Sequence, residues 1–411
     1  MDGQMPGEKV VSDFVRVRAQ TEMLASPLSV EDQCVQSMPD ASPTKWHRAH
    51  TTWFFETFLL KPSGIEGLSP DSYSVLFNSY YNAVGEQYHR PSRGLLTRPS
   101  HDEVSEYRRR IDEAMLRLIE DGLSHELIKR LDIGLHHEQQ HQELLLTDIK
   151  HLLSCNPLDP AYAPSRSPVA DGGTTPPQRW LGHGGGIVPI GCDASGYHFD
   201  NEAPRHETLL RPFAIAQRLV TNGEYRAFID DGGYGRPELW LSDGWQAVQS
   251  EGWRAPLYWR EEADGWSEMT LHGRWPLHDA LPVLHLSYFE ADAYARWAGA
   301  RLPTEQEWEA ATAEPEPAPM GGRPPVLHPG SPSVYGAAWQ WTSSSYAAYP
   351  GYRPAAGAIG EYNGKFMCNQ YVLRGSSCAT AAGHARRSYR NFFPPGARWQ
   401  FTGIRLAKDG G

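Results

Sequence analysis

Apolar positions recur at helical spacing through most of the first 155 residues. The clearest run is 101–120 (HDEVSEYRRRIDEAMLRLIE), where Val104, Tyr107, Ile111, Met115 and Leu118 fall along one stripe. That periodicity predicts a helix with one buried face. Residues 10–24 mix apolar and charged positions at similar spacing and predict another. Residues 47–60 (HRAHTTWFFETFLL) form an amphipathic run after Ser42-Pro43, a helix-start signal, and 124–153 form a fourth that Asn156-Pro157 stops. Four long helices joined by loops predict a four-helix bundle. The connection over 61–100 is too long for a bare link, and such connections in compact domains often carry function.

The pattern changes after residue 155. Residues 156–180 (NPLDPAYAPSRSPVADGGTTPPQRW) are rich in Pro, Gly and Ser, as interdomain linkers are. Beyond them, short apolar runs alternate with GG, DG, PG and NG pairs, and only 288–299 and 305–312 read as helices. The expected architecture is therefore multidomain α and α+β: a bundle over 1–160, a linker over 161–179 and an α+β domain over 180–411. Fourteen Trp, 39 Gly and 33 Pro, mostly in the second part, point to loop-rich backbone held by buried aromatics.

Charge narrows the partners. The formal net charge is −11 and there is no Lys/Arg run; Arg386, Arg387 and Arg390 are too few for a backbone-tracking groove, so a nucleic-acid partner is not expected. The five cysteines are scattered without a CxxC pair, which suits reduced thiols. No apolar signal-peptide core stands in residues 1–30 and no apolar stretch reaches membrane-spanning length. The expectation is a cytoplasmic enzyme without a membrane partner.

The candidate chemistry lies in the fourth helix. In Leu135-His136-His137-Glu138-Gln139-Gln140-His141, His137 and His141 are four residues apart, so their imidazoles leave one face about a turn apart. His50 sits on a second helix beside Trp53 and Phe54, and bundle metal sites form from side chains of facing helices. Three neutral imidazoles leave coordination positions open and suit Fe, Zn or Ni. A histidine pair at this spacing is also commonly core filler or surface decoration, and His136 shows that histidine is plentiful here. His137-Glu138-x-x-His141 also matches HExxH, the zinc-hydrolase helix, with Glu138 as general base; Gln142-Glu143-Leu144-Leu145 follow in place of the HxxGxxH extension.

These residues resemble a known family, the iron(II) sulfoxide synthases of ergothioneine biosynthesis. WHRAHTTWFFE and GLHHEQQHQELLLTDIKH are similar to their DinB-like four-helix bundle. FDNEAPRH, VTNGEYRAFI, DGGY, PVLHLSYFEADAYARWAGARLPTEQEWEAA, WQWTSS, VLRGSS and RNFF…RWQFTGIRLA resemble the formylglycine-generating-enzyme (sulfatase-modifying) domain, a C-type-lectin-like fold. The resemblance covers nearly the whole chain. It implies Fe(II) held by His50, His137 and His141, with O2 as co-substrate. It implies Gln140 against the imidazole of hercynine (trimethylhistidine), Asn391 at its betaine end, Phe392 among the substrate-binding residues, and Arg90 and Arg93 near the carboxylates of the sulfur donor. Formylglycine-generating enzymes bind metal through a cysteine pair near the segment matching Arg374-Gly375-Ser376-Ser377; only Cys378 follows it here, so the domain is expected to cover the substrates instead.

One departure bears on the donor. Synthases that use γ-glutamylcysteine carry an acidic residue two positions after the Asn, where this chain has Phe393. The resemblance is to the second type, which takes free cysteine and carries a tyrosine pair matching Tyr80 and Tyr81. The implied role of that pair is to give a proton that steers oxidation toward C–S coupling over thiol oxidation to sulfinate. The first type has its tyrosine in the second domain, where Tyr362 lies close by. γ-Glutamylcysteine, a selenosugar donor as in selenoneine synthases, and a zinc hydrolase remain the alternatives. An ovothiol synthase would usually add a methyltransferase domain, for which no residues are left, and a lectin-like binding module would leave the three histidines idle.

Overall fold

A computed structural model describes residues 6–165, 176–193 and 196–410. The first part is helical, with α1 (Pro6–Ala25), α2 (Thr44–Phe55), a short α3 (Tyr73–Leu76), α4 (His101–Glu120) and α5 (His125–Ser154). The four long ones pack as the expected bundle, α1 against α4 and α5 and α2 against α4 and α5. α4 begins where a capping box dictates: Ser100 Oγ accepts from Glu103 N and the Glu103 carboxylate accepts from Ser100 N. Val104, Tyr107, Ile111 and Met115 are buried as the stripe requires, but the last buried position is Ile119, with Leu118 only partly covered. α2 runs into a wide π-type turn over Glu56–Leu60, so the stretch read from sequence as one helix ends in a looser coil.

The long connection after α2 is ordered by one buried side chain. Asn78 donates to the carbonyls of Tyr81, Gly85 and Glu86, and its Oδ1 accepts from Tyr81 N at 3.1 Å. This pins the tyrosine pair against the bundle.

The second part holds β1 (Trp180–His183), β2 (Gly186–Ile190), β3 (His206–Leu210), β4 (Phe213–Ala216), α6 (Asn222–Asp230), α7 (Ser242–Glu251), β5 (Trp259–Glu262), β6 (Gly265–Thr270) and β7 (Gly273–Pro276). After these come α8 (Tyr288–Trp297), α9 (Glu305–Ala311), β8 (Trp339–Ser345), β9 (Tyr371–Gly375), β10 (Asn391–Phe393), β11 (Thr402–Gly403) and β12 (Ala407–Asp409). The strands form small sheets, the largest in the order β10-β9-β8-β11. α6 and α7 correct the expectation of only two helices here. Trp308, Trp339 and Trp341 are fully buried, as the aromatic content suggested. Buried ion pairs brace the sheet: Arg374 with Glu309, and Arg390 bidentate to Glu305 at 2.8 and 2.9 Å. The latter fixes the residue just before β10.

Of the expected linker, 166–175 lie outside the described residues. Residues before them are not a free tether: Tyr162 is buried and donates to Leu24 O at 2.6 Å, and Ala163 N donates to Leu271 O. Asp159 pairs with both Arg260 and Arg274. The turn residues that read as linker instead bind the second part onto α1.

α5 is the seam between the halves. Glu143 accepts from Trp339 Nε1 (2.8 Å), Ser377 Oγ (2.5 Å) and Thr380 Oγ1 (2.7 Å), while Gln139 Nε2 donates to Ala382 O. Burial raises the Glu143 pKa, which three hydrogen bonds only partly offset.

Candidate metal centre and substrate cavity

α2 and α5 face each other, and the side chains of His50, His137 and His141 converge between them. Their ligand nitrogens all lie within 4.8 Å of one another. His50 is held on both faces and at one edge. Trp46 stacks on it at 4.6 Å, Trp53 at 5.6 Å, and its Nδ1 lies 2.6 Å from Phe77 O. Since a carbonyl only accepts, Nδ1 carries the proton and Nε2 presents a lone pair. That Nε2 stands 3.1 Å from His137 Nε2. Two imidazole nitrogens bound to one ion at about 2.1 Å stand about 3 Å apart, so this spacing fits a shared metal.

Burial lowers the pKa of all three histidines, His137 to about 3, so each is neutral at pH 7 and able to coordinate. His137 Nδ1 is buried without a hydrogen-bond partner among the described residues. The donor set, neutral and pre-gathered, suits a borderline first-row ion.

The cluster opens into a cavity of about 380 Å³ lined from both halves of the chain. That is room for small-molecule substrates. Tyr80, Arg90, Arg93, His137, Gln140, His141, Asn391, Phe392 and Phe393 all line it. Tyr81 does not: it lies behind Tyr80, stacked on it at 4.6 Å and packed on Trp53 and Phe58. Tyr362 lines the wall as well, its ring 5.7 Å from that of His137, and its hydroxyl donates to Gln140 Oε1. Gln140 Nε2 donates to Tyr389 Oη at 2.7 Å, so both ends of that amide are oriented.

Arg93 is buried, not a solvated loop charge. Its guanidinium lies 3.4 Å over Trp46 and donates to Ser42 Oγ, and its Nε has no partner among the described residues. Burial, then the like charge of Arg90, push its pKa down to about 8. Such a cation facing a cavity calls for an anion. Arg90 is exposed at the same wall and donates to Asp40 O.

A model of the sulfatase-modifying factor enzyme 1-like domain matches residues 178–323 and 328–410. The chain is 34% identical over 437 residues to the hercynine oxygenase of Mycobacterium tuberculosis, spanning 98% of this chain and 99% of that relative. The chain belongs to the hercynine oxygenase family. It is 32% identical to the hercynine oxygenase of Mycolicibacterium smegmatis, over 91% of this chain and 92% of the relative. The formylglycine-generating enzyme of Streptomyces coelicolor is 35% identical over 167 residues, covering 36% of this chain and 51% of that relative.

Membership in this oxygenase family fits the fate of the HExxH alternative. Glu138 does not line the cavity. It is fully buried on an adjoining face of α5, accepting from Arg18 Nη1 (2.9 Å), Arg108 Nη2 (2.5 Å) and Thr21 Oγ1 (2.6 Å). Although burial works against ionisation, those two arginines hold its pKa down at about 2. It is a structural anion and no base for a hydrolytic water. Cys378 is likewise no nucleophile, being buried with its pKa pushed up to about 12. Among the described residues no helix is long and apolar enough to cross a membrane.

Tyr389, which orients Gln140, and the pair His47 and Asp148 escaped the sequence reading. His47 lies with Nδ1 2.8 Å from His141 Nδ1 and Nε2 3.1 Å from Asp148 Oδ2. The signal was available: His47 precedes His50 by three residues and Asp148 follows His141 by seven, so each shares its neighbour's helix face.

Proposed function

We propose that this chain is an iron(II)- and O2-dependent sulfoxide synthase that joins the imidazole of hercynine to L-cysteine, giving hercynylcysteine sulfoxide for ergothioneine biosynthesis. The observation that carries this reading is a cavity in which His137 and His141 of the three-histidine cluster meet an oriented amide and a buried guanidinium that has no carboxylate partner among the described residues. Iron(II) held by His50, His137 and His141 would supply O2 activation and a coordination position for a thiolate. The rest of the site binds and orients. Gln140, fixed by Tyr362 and Tyr389, keeps one amide N–H for the hercynine imidazole. Asn391 lines the same cavity, and its Oδ1 accepts from Phe392 N at 2.9 Å, which leaves its amide N–H groups for the carboxylate at the betaine end of hercynine. Arg93, with Arg90 at the mouth, pairs the cysteine carboxylate. Holding both substrates side by side removes the bimolecular encounter from the C–S bond-forming step.

The test is anaerobic protein with iron(II), hercynine and either cysteine or γ-glutamylcysteine, exposed to air and analysed by mass. Hercynylcysteine sulfoxide is the expected product; a γ-glutamyl adduct formed faster would reassign the donor, and no adduct with either would remove the reading.

Donor choice rests on Phe393, which packs edge-on to Trp399 at 5.6 Å and offers no charge to a donor ammonium. Phe393→Asp is expected to move the ratio of kcat/KM values toward γ-glutamylcysteine by about 1–3 kcal/mol, if the new carboxylate is partly desolvated. An unchanged ratio would place the selectivity elsewhere.

Tyr80 holds the proton at the cavity wall. Burial raises its pKa, so the O–H persists across physiological pH as a hydrogen-bond donor. Tyr80→Phe keeps the ring and is expected to shift product from sulfoxide toward cysteine sulfinate at matched iron loading, while Tyr81→Phe leaves the ratio near wild type. If Tyr362→Phe alone shifts it, the donor lies in the second part of the chain.

A further inference from the structure

The nitrogen by which His141 meets a metal is not free to choose. Imidazole has one proton and two nitrogens, and only the bare one coordinates. His141 shares its Nδ1 with His47 Nδ1 at 2.8 Å, so one of the two must carry the proton and the other must accept. Which one is decided a step away. Asp148 Oδ2 already accepts from Ser42 N at 2.8 Å, and Oδ1 accepts from Trp399 Nε1 at 3.3 Å. The same Oδ2 meets His47 Nε2 at 3.1 Å. A bare Nε2 there would set lone pair against lone pair, so Nε2 donates; in the neutral His47 ring Nδ1 is then bare, and His141 Nδ1 must donate to it.

We propose that Asp148, acting through His47, fixes the His141 proton on Nδ1 and so turns the lone pair of Nε2 toward the metal position. This rests on the reading that the three histidines hold iron. Both are positioning residues: neither is among the three gathered ligands. His50 reaches the same state by a backbone carbonyl, whereas His141 uses a side-chain chain of two. Asp148 also ties that chain to both halves. Ser42, which it holds, supports Arg93 through its hydroxyl, and Trp399 belongs to the second part.

Two measurements test this. In metal-free wild type labelled with 15N-histidine, the His141 resonances, assigned by their loss in His141→Gln, are expected to show a protonated Nδ1 and a bare Nε2. A proton on Nε2 would overturn the proposal, whether or not the His47 variants fold. The second is the dissociation constant for iron(II), titrated anaerobically with thermal unfolding followed in parallel. His47→Phe keeps the ring but has no acceptor, and is expected to weaken iron(II) binding about 10–100-fold. His47→Asn sets an oxygen where Nδ1 stood and is expected to recover most of that loss. Equal affinity in wild type and His47→Phe, or equal weakening in both variants, would overturn the proposal. Failure of wild type itself to bind iron(II) would instead remove the metal reading beneath it.

Discussion

His137→Ala and His141→Ala are each expected to abolish bound iron(II) and sulfoxide formation together. Among the described residues the three imidazoles are the gathered donor set, and their nitrogens stand within 4.8 Å of one another. Removing one takes away a direct ligand, so the loss should exceed the roughly 10–100-fold cost of deleting an outer partner. The readout is metal content after reconstitution beside product mass, and stoichiometric iron with normal turnover in either variant would sink the assignment. His136→Ala is the informative neighbour. Its side chain leaves the helix about 100° from His137 and points into the seam. There it lies 2.9 Å from His384 Nδ1 and stacks on Tyr197 at 3.8 Å. It should keep iron while lowering stability by about 1–3 kcal/mol, read by thermal unfolding. The same substitution at adjacent positions thus separates loss of metal from loss of packing.

The bundle was legible because its signals are local. A capping box starts α4, a Ser cap starts α5, and one apolar stripe runs along α4. The histidine pair was legible for the same reason, since an i, i+4 spacing fixes a shared face. α6 and α7 were missed because Asn222-Gly223 and Ser242-Asp243-Gly244 open them with residues that read as turns. A local signal for α6 was still present, as Thr221 and Glu224 form a capping box. Tertiary facts were out of reach. Nothing near Arg93 in sequence says that a loop arginine will lie under cover on Trp46, and only the folded seam places Tyr81 behind Tyr80. Leu118 and Ile119 show the limit of the stripe itself, because near a helix end one residue of drift changes which side chain meets the core.

The largest stability effect is expected at Glu138, and it separates two readings of one motif. If HExxH were catalytic here, Glu138→Gln would leave the fold intact and remove turnover. The surroundings say the reverse. The carboxylate is the shared acceptor of Arg18, Arg108 and Thr21 in the bundle core, with Arg18 also paired to Asp112 at 2.6 Å. Glu138→Ala leaves two buried guanidinium groups short of their common counter-charge, which should cost about 3–5 kcal/mol. Glu138→Gln keeps the volume and one acceptor oxygen but places an NH2 against a guanidinium, so it should also destabilise, by less. Denaturant unfolding gives the first quantity; iron content and product per folded molecule give the second. The expected outcome is a marked fall in unfolding free energy with iron binding and C–S coupling largely kept in the folded fraction. Wild-type stability with lost turnover would restore Glu138 as a base. A buried anion fixed by two arginines one residue from His137 also explains why that helix face can carry a metal ligand on one side and a charge on the other. The histidine turns toward the cavity, and the carboxylate is neutralised where no substrate can reach it.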